Sequence, residues 1–181
     1  GFAQKTARQE IVFQRVIANV FGGQKSQIIG GLEATGHIPN ELNDELATQK
    51  LQPVIEAIYH TAFEDAIPSK AIKQLDEFAR TWILHRSLAL AKFINLTTLA
   101  AIRQELAQGF EAGESIRQLT KRIEGYFETN AKSRARMISR TETIAASNAG
   151  AVDRYRQEGI QQKEWFAAMD ERTRETHAAA N

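Results

Sequence analysis

The chain contains three prolines, Pro39, Pro53 and Pro68, and none beyond Pro68. Proline removes a backbone donor and clashes with the preceding helical turn, so it interrupts regular structure. Everything after Pro68 is therefore free to form long helices, and the apolar spacing predicts that it does. Ile72, Leu75, Phe78, Ala79, Trp82, Ile83, Leu90 and Phe93 recur at helical intervals, with Ser69 as a candidate N-cap. Leu99, Ile102, Leu106 and Phe110 form a second set, and Ile116, Leu119, Ile123 and Phe127 a third. The last two sets share one spacing and are predicted to pair as a helix hairpin. Thr97 or Thr98 would cap the first of these helices, Gly109 and Gly113 would close it, and Glu114-Ser115 would open the second. A final long helix is predicted from about Ala131 to Gln157, stopped by Gly159. Lys163 to Met169 reads as a short strand and Glu171 to Ala180 as a short helix.

Before Pro68 the pattern is also helical. Residues 4–21 carry a stripe of Ile11, Val12, Val16 and Val20, which Gly22-Gly23 is predicted to end or bend. Ile28, Ile29 and Leu32 resume the period before a loop at residues 36–40. Asn40 or Asn43 would cap the next helix, with Leu46, Leu51, Val54, Ile55, Ile58 and Phe63 facing inward. Pro53 lies inside that pattern, where it either starts a new helix or kinks a long one. The chain is thus expected to be mainly α. A helical arm or bundle spans 1–93, and a small α-rich (α+β) domain with one or two short strands near 162–169 spans 94–181. The Ile11 to Val20 stripe is expected to need a partner, which makes the N-terminal helices the candidate oligomer or portal contact.

Composition narrows the function classes. The net charge of +1 predicts no charged partner for the chain as a whole. With no cysteine, neither a disulfide framework nor a thiolate metal site can form within the chain. No apolar run approaches the roughly 18 residues that suggest a membrane span, so no membrane partner is expected. The unpartnered strand candidate at Trp165 to Met169 leads to the expectation that the unit continues past Asn181.

Three polar constellations stand out. Lys132, Arg136 and Arg140 recur every fourth residue, so they share a helix face, and Arg134 lies among them. Such a stripe is either a solvated surface or a contact to DNA phosphates or to an acidic protein surface. Next, Arg140-Thr141-Glu142-Thr143 places two poor helix formers around an acid in mid-helix. Met137, Thr141, Ile144, Asn148, Val152 and Tyr155 are expected to share a buried face. That would leave Thr141 and Asn148 needing hydrogen-bond partners, and Glu142 would pair with a nearby arginine. Third, Trp165 leads into Asp170-x-x-Thr173-Arg174-x-x-His177. Asp170 is either an N-cap or, with His177, part of a metal or acid–base site, but two ligands are too few for a metal centre. No glycine cluster here fits a phosphate-binding loop.

Order and spacing give these motifs further meaning. Thr97-Thr98, Gly109, Gly113-Glu114-Ser115, Ser133-Arg134-Ala135, Arg140 to Thr143, Asn148-Ala149-Gly150, Tyr155, Gly159, Lys163-Glu164-Trp165 and Asp170 to His177 follow one another as in the head-morphogenesis (minor capsid protein, Mu F-like) family of tailed bacteriophages. The chain resembles that family from about Ile94 to His177, whereas residues 1–93 match only as generic helix. The resemblance implies a structural protein of the phage head that associates with the portal and other capsid or scaffold proteins. It also implies a place inside the procapsid and head, with the host cytoplasm as the site of assembly, and contact with packaged DNA. The chain carries no complete catalytic set, so no enzyme activity and no cofactor are expected. Two alternatives remain open: a metal-dependent hydrolase using Glu142, Asp170 and His177 with groups from a further segment, and a DNA-binding module built on residues 132–140.

Overall fold

The computed structural model describes residues 2–67 and 74–162. They form four helices: α1 (Phe2–Thr35), α2 (Asp44–Ala66), α3 (Glu77–Glu111) and α4 (Ile116–Gln157). The mainly helical expectation holds, and no strand occurs among the described residues. The strand expected near 162–169, together with Trp165, Asp170, Thr173, Arg174 and His177, falls almost wholly beyond Gln162 and lies outside the described residues. So do Ser69 and Ile72.

The helices are longer than the sequence breaks predicted. Gly22-Gly23 does not end the helix, because α1 continues to Thr35. Each glycine costs a helix about 1 kcal/mol, and here Phe13, Ile17, Val20, Phe21, Ile28 and Leu32 are buried on one side. That burial offsets the cost, since most helical stability in proteins comes from packing an apolar face. Gly36, at φ 75°, then ends the helix. Thr97 and Thr98 cap nothing: they lie within α3, whose N-cap is Asp76, accepting from the Ala79 N–H at 3.0 Å. The Thr97 hydroxyl donates back to the Phe93 carbonyl at 2.8 Å, which satisfies it without breaking the helix. The boundary drawn at 93/94 falls inside this helix. Likewise the third apolar set and the final helix are one continuous element, α4.

Other punctuation was legible. Asn43 caps α2 by accepting from the Leu46 N–H at 2.8 Å. Pro53 lies within α2 on its exposed side. The α3–α4 turn closes with Gly113 at φ 70°, the Gly113 N–H donating to Phe110 and the Glu114 N–H to Gly109. The Ser115 N–H donates to Gln118 Oε1 at 2.9 Å to start α4.

The helices alternate in direction. Contacts that climb α1 descend α2, from Lys5–Asp65 to Gln27–Asn43. Those between α2 and α3 run from Asp44–Asn95 to Tyr59–Trp82, and those between α3 and α4 from Arg86–Glu142 to Gly109–Leu119. One apolar cluster draws on all four helices. The parallel pair α2 and α4 approaches to backbone contact at Gly150, where an added Cβ would lie 2.1 Å from the Tyr59 carbonyl oxygen. Gly30, by contrast, faces open space. Gly150→Ala is therefore expected to lower stability by about 1–3 kcal/mol through overpacking, while Gly30→Ala should be neutral or stabilising by up to about 1 kcal/mol. Urea denaturation midpoints measure both, and an unchanged midpoint for Gly150→Ala would contradict the close α2–α4 approach.

Candidate functional site

The polar residues of α4 meet the other helices in three layers. In the first, Arg134 turns inward. Its guanidinium donates to Thr97 Oγ1 at 2.7 Å, Thr98 Oγ1 at 3.1 Å and the Tyr126 hydroxyl at 2.9 Å, and lies 4.8 Å over the Phe21 ring. Thr98 in turn donates to Gln24 Oε1 at 3.0 Å, Gln24 Nε2 donates to Asn95 Oδ1 at 2.6 Å, and Asn95 Nδ2 donates to Asp44 Oδ1 at 2.6 Å. Gln24, Asn95 and Thr98 are buried. One hydrogen-bonded chain thus touches α1, α2, α3 and α4. Of the residues read as a basic run, Arg134 is consequently not part of a phosphate-facing surface. Lys132, Arg136 and Arg140 are exposed on one side, as their spacing predicts.

The second layer holds the Arg140-Thr141-Glu142-Thr143 motif. Glu142 is buried, and both of its oxygens accept from Arg86, one from Nε and one from Nη2, each at 2.7 Å. The expected arginine partner is real, and it comes from α3. Thr143 is buried with no hydrogen bond to its hydroxyl among the described residues. Thr141 is exposed and donates to the Met137 carbonyl at 3.0 Å. The expected burial of the Met137 to Tyr155 face is wrong. Met137, Thr141, Ile144, Asn148 and Val152 all face solvent, and Tyr155 is only partly covered. The inward face is instead Ala135, Ile138, Ser139, Glu142, Thr143, Ala146, Gly150, Asp153 and Arg154. At Gly150, where α2 passes closest, only a residue without a Cβ fits, while Ile138 is buried further up the same face. Mean side-chain hydropathy therefore pointed to the opposite side. Asn148 is accordingly no buried latch.

The third layer closes the end of the bundle. Arg156 donates to Asp153 Oδ1 and to Asp76, and lies 4.9 Å over the Phe78 ring. Arg154 lies 5.2 Å over Phe63 and pairs with Glu158 at 3.0 Å. Burial, and the Asp153 carboxylate facing it, hold the Tyr59 hydroxyl above the usual phenol range. The Ala79 N–H and Arg156 hold the Asp76 carboxyl below its usual range, and Asp76 with Asp153 holds Arg156 further above its own.

No group of three potential metal ligands occurs among the described residues, and no helix there is long and apolar enough to cross a membrane. The site is thus a set of interhelical polar contacts. Arg86, Gln24, Asn95 and Asp76 were not nominated from sequence. A signal for Gln24 and Asn95 existed, because each interrupts an apolar helical period at a position that points inward.

Comparison with known proteins adds to this geometry. Residues 100–181 match the sequence model of the family described as Phage Mu protein F like protein. Over that span the resemblance carried by the motifs is shown. The span takes in the end of α3, the turn, α4 and the residues beyond it. The chain is also 28% identical over 122 residues to the uncharacterized protein YqbB of Bacillus subtilis (strain 168), an alignment covering 67% of this chain and 40% of that protein. No solved structure matches.

Two expectations test the layers. Glu142→Gln leaves Arg86 without its counter-charge and should cost about 1.5–3 kcal/mol, the range for hydrogen bonds to charged groups, with part of the loss recovered in the Arg86→Met/Glu142→Leu double variant. Chemical denaturation of Arg86→Met, Glu142→Leu and their double variant measures the coupling, and additive losses would contradict a direct pair. Asp76 has a folded pKa below its unfolded value, so its contribution is present above the usual carboxylate pKa of 3.8 and is lost as pH falls through the folded value. Asp76→Asn keeps the cap and should flatten the fall in melting temperature between neutral pH and pH about 3. An identical acid slope in wild type and variant would contradict this role.

Proposed function

We propose that this chain is part of a structural minor capsid protein acting in phage head morphogenesis, bound to the portal inside the procapsid. The observation that carries this reading is the match over residues 100–181, in which the Arg140-Thr141-Glu142-Thr143 motif holds helices together. A carboxylate with both oxygens held by an arginine of the neighbouring helix serves assembly geometry better than proton transfer to a substrate. The protein in this reading is made in the host cytoplasm and retained in the virion interior. It acts without an enzymatic step and engages portal, capsid and scaffold proteins. Ile11 and Val12, 51% and 50% exposed on α1, supply an apolar contact for the portal. They lie on the side of α1 away from the buried Phe13 and Ile17.

Contact with packaged DNA is the second reading. Lys132, Arg136 and Arg140 are exposed along α4, and no ion pair holds any of them among the described residues. That leaves three cations free for phosphates.

The test is an in vitro assembly reaction with the portal, scaffold and major capsid proteins of the same phage. The protein should enter procapsids only when portal is present, and Ile11→Ser/Val12→Ser should reduce entry without changing the melting temperature. Asp170→Asn should assemble normally, since asparagine caps a helix about as well as aspartate. Portal-independent incorporation would contradict the portal role, and loss of assembly in a well-folded Asp170→Asn protein would contradict the non-enzymatic one. For the DNA reading, replacing Lys132, Arg136 and Arg140 by Gln should lower the salt dependence of duplex binding by about 0.9 in log–log slope for each phosphate no longer neutralised. An unchanged slope would remove DNA from the partners.

A further inference from the structure

We draw no further inference here: the strongest candidate, the open cavity of about 310 Å³ between the end of α1, the 36–40 loop and the last turns of α3, walled by Leu32, Ile38, Leu106 and Phe110 beside Arg103, carries nothing, because the Arg103 guanidinium is already held by the Asn40 carbonyl and nothing in the structure shows what covers the apolar wall.

Discussion

The described structure depends on a buried hydrogen-bond chain that begins at Asp44 and ends at Arg134. α1 and α3 lie across the bundle from each other, and it is the side chain of Gln24 that joins them, through Asn95 and Thr98. Burying an amide without partners costs a few kcal/mol, so each member of this chain constrains the next. Gln24 can sit in the core only if Asn95 and Thr98 are level with it. Thr98 accepts Arg134 only if α4 has the observed rotation and height. An apolar core of similar volume would tolerate sliding between long helices; a polar chain with directional donors fixes one register. The Arg134 cation is made tolerable at that position by three acceptors and by the face of Phe21.

From that layer the other two follow along the α3–α4 pair. With Thr97 and Thr98 level with Arg134, antiparallel register brings Arg86 to Glu142 and Asp76 to Arg156. α4 is therefore the element that integrates the bundle. Its inward face carries Ala146, Gly150 and small polar residues that let α2 approach, and its charged residues close salt bridges to α3. Along that stretch Met137, Ile144 and Val152 face outward, while Ile138, and Leu119, Ile123 and Phe127 nearer the start of α4, are buried.

Much of this was legible in the sequence and some was not. The absence of proline after Pro68, together with the 3.6-residue period, led to a mainly helical chain. Gly36, Gly113 and Gly159 end helices where their positive φ requires a residue without a Cβ. Asn43 was legible as a cap because nothing in the core competes for its side chain. Thr97 and Thr98 misled for the opposite reason: cap-forming residues inside a helix bond back to the preceding turn or across to Arg134. The buried face of α4 was misassigned because apolar periodicity assumes that the bulkiest side chains face inward, and at the close α2–α4 approach at Gly150 they cannot. Glu142 was recognised as one half of an ion pair, but Arg86 could not be named, since partner choice follows from helix register and register is a tertiary property. The Mu F-like resemblance rests on order and spacing of motifs, and it holds over the span where the family matches.

The most direct test of the polar chain is the unfolding free energy of Arg134→Met, which keeps much of the side-chain length and apolar stem while removing every donor. If Arg134 anchors the helices in register, the variant should lose about 2–4 kcal/mol in urea denaturation, the combined scale of several hydrogen bonds to a charged group left without a donor. Hydrogen exchange should then show the loss spread over α1 and α3 as well as α4. A variant as stable as the wild type, with protection in α1 unchanged, would show that the helices are held by apolar packing alone and that the buried chain from Asp44 to Arg134 does not set their register.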